Sequence, residues 1–362
     1  MNTKNRIIGT LVSAGTTLTM VIGLGVGVAN ADPIAAPTSR LLAISGSDTT
    51  DEVMQALAED ATALISGGNR AVENWSAAGG GNIAPHGGTL CSITRPTGSS
   101  GGRTALLNSI GATATTPNCF QGARSSSLNL ATVATTDKQL VYVPFAKEAV
   151  TYAVTNTSNV SRNQTVLRLQ QFYRCENSSG VEQTNPATKV MLPQSTSGTR
   201  QYWLTQLLGS TAPATIGDTI VSNTTTGVIS SGCVEDGADE FGAVIQEHQG
   251  GKVNDNELVP YSVGQWTSQA SGVIGENRGR TILAQIATTN PYTSGAFYQR
   301  TLYNVFPAAY IGGSSTEATA VQALFFGSGS ALCTTAAAIT SRYGLIPAPD
   351  CGATTSITPL TP

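Results

Sequence analysis

The chain has 362 residues and a net charge of −3, and only 11% of its residues are charged. This mildly acidic composition argues against nucleic acid or anionic lipid as the partner, because both are bound through strongly basic surfaces. The length is ample for two domains with separate cores.

The N-terminus has the pattern of a secretory signal peptide. Two basic residues precede an apolar run, and the small-x-small sequence Ala29-Asn30-Ala31 follows it. We therefore predict that residues 1–31 are removed and that the mature protein is secreted, periplasmic or associated with the cell envelope. The removed segment contains two of the 19 basic residues and none of the 22 acidic ones, which leaves a net charge of −5. No later segment is apolar for long enough to span a bilayer.

Apolar periodicity alternates between strand-like and helix-like segments along the chain, which predicts an α/β fold. The predicted strands cover residues 41–44, 139–144, 149–154, 190–192, 257–261 and 303–311. The predicted helices cover residues 51–64, 104–109, 166–173, the later part of 192–208, 263–270 and 316–326. Residues 210–232 are rich in Ser, Thr and Gly, and we expect a long surface excursion there with little chemistry.

Three loops rich in small hydroxyl residues each precede a predicted helix. They lie in residues 45–50, 97–102 and 192–199. The first N–H groups of a helix have no partner inside the helix and carry the positive end of its dipole, and Ser and Thr hydroxyls add further donors. A helix cap explains one such loop, but three of them favour a site for a tetrahedral oxyanion. The candidates in these loops are Ser47, Asp48, Thr49, Thr50, Ser99, Ser100, Ser195, Ser197, Gly198 and Thr199.

Six cysteines in an exported chain predict three disulfide bonds. Among the possible connectivities we predict pairing between neighbours in the sequence: Cys91 with Cys119, Cys175 with Cys233, and Cys333 with Cys351. A metal site is the alternative, but the chain has no CxxC pair and only two histidines, His86 and His248. We expect no metal and no cofactor.

The chain resembles the phosphate-binding proteins of ABC-type phosphate uptake systems. Residues 46–50, 98–102, 122–125 and 197–199 occur in the order and context seen in that family. The stretches VPFAKEAVTYAV from Val143, LQQFYRC from Leu169 and LVPYSVGQW from Leu258 are similar to its actinobacterial branch. The resemblance covers nearly all of the mature chain and implies a type II periplasmic-binding-protein fold, with two α/β lobes and the ligand in the cleft between them. Lobe I would comprise residues 40–146 and 300–362, and lobe II residues 147–299.

The resemblance also implies which residues bind the ligand. Thr50 and Ser100 match hydroxyl donors of the first two loops, and residues 197–199 match the donors on the far lobe. Two positions depart from the family pattern. Ser125 stands where the better-known members have an Asp that accepts a proton from phosphate, and Pro193 stands where they have an Arg.

Nearby charged residues are candidates to replace these two groups. Asp48 would accept a hydrogen bond from a protonated phosphate and repel fully deprotonated sulfate. Arg124 or Arg200 would supply the positive charge with a planar guanidinium. The alternatives are that Asp48 caps a helix and that both arginines are ordinary surface residues.

The predicted function is that of an extracytoplasmic solute-binding protein that captures inorganic phosphate or a related oxyanion for ABC-type uptake. We expect a monomer that is not an enzyme and has an ABC permease as a partner. A hydrolase has little support, because no GxSxG motif occurs and His86 lies in a Gly-rich turn. The alternative function is that of a secreted or cell-surface protein with the same fold, an adhesive or structural role and no transport partner.

Overall fold

The computed structural model describes residues 32–33, 40–87, 91–181, 183, 186–209, 233–238, 244–293, 296, 298–334 and 337–361. The predicted signal peptide at 1–31 and the predicted surface excursion at 210–232 lie outside the described residues. In the described part, no helix has the length and apolar character needed to cross a membrane.

Strands and helices alternate along the chain, so the predicted α/β class is confirmed. The strands are β1 (Leu42–Gly46), β2 (Ile65–Ser66), β3 (Asn69–Arg70), β4 (Val72–Asn74), β5 (Asn82–Ile83), β6 (Ile93–Thr94), β7 (Gly122–Ser125), β8 (Leu140–Thr155), β9 (Asn163–Gln164), β10 (Lys189–Leu192), β11 (Val234–Asp236), β12 (Glu257–Ser262), β13 (Thr281–Leu283), β14 (Gln285–Ile286), β15 (Tyr298–Pro307), β16 (Ile346–Pro347) and β17 (Ser356–Ile357). The helices are α1 (Asp51–Glu59), α2 (Gly98–Ser109), α3 (Val166–Tyr173), α4 (Gly198–Leu208), α5 (Val263–Ala270), α6 (Thr316–Phe325), α7 (Ala331–Thr334) and α8 (Ala337–Arg342). Short 3-10 turns cover Asp48–Thr50, Pro85–Gly87, Thr136–Lys138, Gly250–Lys252 and Ala308–Tyr310.

Several elements differ in length from their predicted bounds. The two strands predicted at 139–144 and 149–154 are one continuous strand, because the residues between them stay in the ladder with β15. The helix predicted at 51–64 ends at Glu59, where Asp60 becomes extended and its carboxylate accepts the amides of Thr62 and Ala63. The strand predicted at 303–311 begins earlier, at Tyr298, and gives way to a 3-10 turn after Pro307.

Among the described residues, eleven strands join in one sheet whose main order is β11-β10-β12-β8-β15-β7-β1-β4. Strands β13, β16 and β17 also pair with β8. The long strands β8 and β15 run antiparallel through the middle of this sheet. On one side of them β1 leads into α1, and on the other side β10 leads into α4 and β12 into α5.

Two main hydrophobic cores lie along β8. The first packs Val143 of β8 with Leu42 of β1 and Phe325 of α6. The second packs Tyr152 of the same strand with Trp203 of α4. Strand β15 likewise contributes to both cores. The molecule therefore has two lobes, here lobe I around the first core and lobe II around the second, and β8 and β15 pass from one lobe to the other.

All three predicted disulfide bonds are confirmed. Cys91 pairs with Cys119, Cys175 with Cys233, and Cys333 with Cys351, at Cα separations of 5.4, 5.7 and 5.8 Å. Each bond closes a loop within one lobe's sequence, where it restricts the unfolded chain and thereby stabilises the fold.

Helix α1 begins with two carboxylates, Asp51 and Glu52, directly after the 3-10 turn that contains Asp48. The amide of Gln265 in α5 donates to Glu52 Oε2 at 3.0 Å. Burial, reinforced by the charges of Asp51 and Asp48, raises the pKa of Glu52 to about 7. An ionised Glu52 therefore opposes folding.

Replacing Tyr173 by Phe is expected to destabilise lobe II. Trp203 Nε1 donates to the Tyr173 hydroxyl at 2.7 Å, and both side chains are completely buried. The variant leaves the indole N–H without that acceptor, so the free energy of unfolding in urea should fall by about 1 to 3 kcal/mol. Tyr292→Phe, at a residue that is 53% exposed, is the matched control and should change it by less than about 0.5 kcal/mol. Equal effects of the two variants would contradict the prediction.

Replacing Glu52 by Gln is expected to alter how stability depends on pH. The folded protein holds the Glu52 proton up to a pKa of about 7, against 4.5 for an ordinary Glu, so folding takes up a proton between these values. The stability that the protonated Glu52 side chain contributes is complete below pH 4.5 and is lost as the pH rises towards 7. The variant should therefore match the wild type at pH 4.5 and unfold at a higher urea concentration at pH 8. Glu276→Gln, at an exposed carboxylate, is the control, and a variant that is no more stable at pH 8 than the wild type would contradict the prediction.

Candidate functional site

The loop after β1 enters the space between the lobes. Gly46 has a φ of +136°, and a β-carbon there would overlap the backbone of Arg124 in β7, so the turn needs glycine. The chain then forms the 3-10 turn Asp48–Thr50, with Thr49 and Thr50 buried. Thr49 Oγ1 lies 3.3 Å from Thr199 Oγ1 of α4, and Asp48 Oδ2 lies 3.3 Å from His248 Nδ1, so this loop lies where lobe I meets lobe II.

The second and third loops meet face to face. Helix α2 of lobe I begins at Gly98, and helix α4 of lobe II begins at Gly198. A β-carbon on Gly198 would overlap the hydroxyl oxygens of Ser99 and Ser126, so glycine permits this close approach. Gln201 Nε2 also donates to Ser100 Oγ across the gap at 2.8 Å. The predicted serines of the second loop thus serve contacts between the lobes.

The carboxylate of Glu247 lies among donors from both lobes. Thr49 Oγ1 donates to Oε2 at 2.9 Å. Thr199 donates to the same carboxylate twice, from its amide and from its hydroxyl, both at 3.2 Å. Burial by itself raises the pKa of Glu247, but the charges of His248 and Arg300 and the hydrogen bonds from Ser197 and Thr199 lower it overall. The space between the lobes therefore stabilises a buried anionic oxygen group.

Arg300 of β15 brings a buried positive charge to the same cluster. Its Nη2 donates to Thr199 Oγ1 at 2.8 Å and to Thr49 Oγ1 at 3.1 Å. Its Nε donates to Glu148 Oε1 at 2.8 Å, directly across the β8–β15 ladder. Ser262 Oγ and Gly264 N donate to the other oxygen of Glu148. Each threonine hydroxyl thus accepts a hydrogen bond from Arg300 and donates one to Glu247.

Three further donors, on Arg300 and on the loop that it bonds, are buried without a hydrogen-bond partner among the described residues. They are Ser47 Oγ, Thr50 Oγ1 and Arg300 Nη1. Leaving a buried donor unpaired costs about 1 to 3 kcal/mol. Two of these atoms belong to the loop after β1, and the third belongs to the residue whose guanidinium bonds that loop. These three donors therefore have no acceptor among the described residues.

Asp48 and His248 form the other part of the site. His248 Nδ1 lies 3.3 Å from Asp48 Oδ2, and Nε2 lies 3.9 Å from Glu247 Oε2. Burial raises the pKa of Asp48. Burial alone would lower the pKa of His248, but the carboxylates of Asp48 and Glu247 raise it overall. With one ligand atom each, Asp48, Glu247 and His248 are the described residues whose arrangement suits a metal ion.

The two predicted arginines are buried, so the alternative that they are surface residues is wrong. The Arg124 guanidinium donates to the backbone oxygens of Ser47 and Trp75 and pairs with Asp51 at 3.0 Å. It lies inside lobe I, where it supports the first loop from behind. Arg200 donates to the Pro193 carbonyl at 2.9 Å and pairs with Asp236.

The remaining predicted residues have local roles in the structure, apart from the hydrogen bond that links Ser197 to Glu247. Ser197 caps α4 by accepting the amide of Arg200. Ser125 Oγ donates to the Ser127 carbonyl at 2.6 Å, and Ser195 is exposed. Asp48 is the first residue of the 3-10 turn, and Ser47 occupies the cap position before it. The alternative that Asp48 is a helix cap is therefore wrong.

Glu148, Glu247, His248 and Arg300 are site residues that the sequence reasoning missed. A signal for two of them was present, because Glu148 and Arg300 are charged residues within strands that are otherwise largely buried. In a chain with 11% charged residues, a charge inside such a strand indicates a specific partner. Glu247 and His248 lie in an irregular segment, where no periodicity marks them.

Comparisons with known proteins found similar solved structures only. No protein-family model and no curated protein matches the chain. A putative phosphate ABC transporter substrate-binding protein from Clostridium perfringens, solved with bound phosphate, is 14% identical with a TM-score of 0.48, over 85% of this chain and 99% of that one. An ABC-type phosphate transport receptor from Vibrio cholerae is 16% identical with a TM-score of 0.46, over 84% and 99%. A phosphate-binding protein from Stenotrophomonas maltophilia is 12% identical with a TM-score of 0.45, over 86% and 91%. At these identities and TM-scores, the function has to be argued from the residues themselves.

Proposed function

We propose that this chain is an extracytoplasmic solute-binding protein that captures inorganic phosphate, or a related oxyanion, between its lobes without chemical conversion. The observation that carries the proposal is a set of buried donors on Arg300 and on the loop that it bonds: Ser47 Oγ, Thr50 Oγ1 and Arg300 Nη1 have no hydrogen-bond partner among the described residues. An oxyanion offers several acceptor oxygens at once, so it would satisfy such a set of donors.

Affinity would come mainly from charge-assisted hydrogen bonds. Arg300 is 3% exposed, and its guanidinium lies within hydrogen-bond distance of Thr49 and Thr199. Bonds between a guanidinium and an anionic oxygen are about twice as strong as neutral ones, and water in the cleft would weaken them less when the donors are buried. Arg300 would thus take the role for which the sequence suggested Arg124 or Arg200.

Phosphate suits the acceptors of the site better than sulfate does. Near neutral pH phosphate keeps at least one proton, whereas sulfate has none to donate. The carboxylates of Asp48 and Glu247 lie next to the donor cluster, and each would accept a hydrogen bond from a P–OH group. A sulfate ion would meet only charge repulsion from them, so they would discriminate against it.

Ligand binding would favour the closed arrangement of the lobes. We propose lobe boundaries near residues 146 and 300, which lie on β8 and β15, and ligand-binding roles for Ser47, Asp48, Thr49, Thr50, Thr199 and Arg300. Donors on both lobes would contact one ligand, so the closed form would bind it more tightly than an open form and be stabilised by it.

The wider biological role extends this proposal. The chain would be exported after removal of residues 1–31, act as a monomer and deliver its ligand to an ABC permease. The second candidate is an adhesive or structural protein with the same fold. Such a protein would not need buried hydrogen-bond donors without partners between its lobes.

Calorimetric titration of the purified protein with phosphate and then sulfate, from pH 5 to 8, tests the proposed function. We expect saturable binding of phosphate and much weaker binding of sulfate, because only phosphate can donate to Asp48 and Glu247. Comparable binding of both ions would indicate a less selective oxyanion receptor. No heat with either ion would overturn the proposal and favour the adhesive or structural role.

Replacing Thr50 by Val separates ligand binding from stability. The Thr50 hydroxyl is buried without a partner in the described part of the chain, so removing it should leave the free energy of unfolding unchanged or raise it. Phosphate binding should weaken by about 1 to 3 kcal/mol, because one donor to the anion is lost. Thr199→Val should reduce both quantities, since that hydroxyl also bonds Glu247.

The control for these variants is Thr319→Val, at an exposed position of α6 remote from the site. It should change neither quantity. A Thr50 variant that binds phosphate as tightly as the wild type would place the anion elsewhere.

A further inference from the structure

Asp48, Glu247 and His248 converge from two segments that are about 200 residues apart in the sequence. One ligand atom from each lies within 4.8 Å of the other two. Ligand atoms that lie about 2.1 Å from one tetrahedral ion are about 3.4 Å from each other, so a common ion requires the most distant pair of these atoms to approach by at most about 1.4 Å. His248 Nδ1 already lies 3.3 Å from Asp48 Oδ2, and the other ring nitrogen, Nε2, lies 3.9 Å from Glu247 Oε2.

His248 is the second observation that points to a ligand. The residue is 5% exposed, and neither ring nitrogen has a hydrogen bond of acceptable geometry among the described residues. The ring contacts Tyr261 on one side, at a centroid distance of 5.4 Å, and the nitrogens face the two carboxylates. A buried imidazole aimed at two carboxylates without good hydrogen bonds is the donor set that a bound cation would satisfy.

The charges around the site also favour a cation. Three carboxylates, those of Asp48, Glu148 and Glu247, face Arg300 and His248 in the described part of the cleft. The Arg300 charge is shared, because its Nε and Nη2 both bond Glu148. With the three carboxylates ionised and His248 neutral, as a metal ligand must be, this group of side chains has a net negative charge, which a divalent ion would offset.

We propose that Asp48, Glu247 and His248 form a binding site for a divalent transition-metal ion of the Zn²⁺ class. An imidazole ligand beside two carboxylates favours Zn²⁺ over Ca²⁺ or Mg²⁺, which prefer oxygen ligands alone. Thr49 and Thr199 already donate to Glu247, and such outer hydrogen bonds orient a metal-binding carboxylate. Three protein ligands leave a fourth position of the ion open for a water or an oxyanion oxygen.

Zinc titration with a pair of histidine variants tests this site. The purified protein, treated with EDTA and dialysed, is titrated with ZnCl₂ by calorimetry at pH 7. The wild type should bind one zinc ion, and His248→Gln should weaken that binding at least about tenfold. His86→Gln is the matched control, because both His86 nitrogens already bond the Arg40 carbonyl and Gln121, and it should bind zinc like the wild type. No zinc binding, or equal binding by all three proteins, would overturn the site.

A second variant and a separate phosphate titration distinguish failure of the metal site from failure of the proposed function. Asp48→Asn removes a charge from the partly exposed side of the site and should also weaken zinc binding at least about tenfold, with the fold checked by circular dichroism. Phosphate is titrated separately, with EDTA present. Zinc binding without phosphate binding supports the metal site and overturns the proposed function. Phosphate binding by a protein that does not bind zinc overturns the metal site and leaves the proposed function standing.

Discussion

The ion pair between Glu148 and Arg300 is the interaction on which the geometry between the lobes depends. Both side chains are almost completely buried, and they stand opposite each other in the β8–β15 ladder. A buried ion pair is tolerated only when its remaining hydrogen-bonding capacity is used, and Glu148 also accepts from Ser262 and Gly264. The guanidinium is thereby held with one nitrogen directed at the threonine hydroxyls of both lobes.

The cleft places hydrogen-bond donors and negatively charged acceptors close together. Hydroxyl groups of the first loop and Arg300 provide donors, whereas Asp48, Glu247 and Glu148 provide acceptors. Glu247 lies between the two groups, since it accepts from both threonines and also faces His248. Such a site distinguishes ligands by their protons and not only by their charge. An anion that can donate is compatible with it, and so is a cation placed beside the anion.

Local patterns predicted much of the fold and part of the site. Helix starts after hydroxyl-rich loops and the pairing of neighbouring cysteines follow from interactions close in sequence, and both are present. The Glu148–Arg300 pair was missed because it depends on the register of two strands whose paired residues are 152 positions apart. Arg124 was a candidate to supply positive charge to the ligand, but in the fold its guanidinium pairs with Asp51 inside lobe I. Glu247 and His248 lie outside any regular element, so no periodicity could reveal them.

The lobes are connected by a two-stranded antiparallel ladder, β8 with β15, and not by two flexible loops. Bending this ladder distorts many backbone hydrogen bonds, and the distortion is largest where the pairing is weakest. The register shift between Leu302 and Tyr303 is that place, since a bulge locally increases twist and disrupts pairing. Arg300 lies two residues from it. A small rotation of one lobe at this bulge would therefore shift the Arg300 guanidinium. Its hydrogen bonds to Thr49 and Thr199 would change with it.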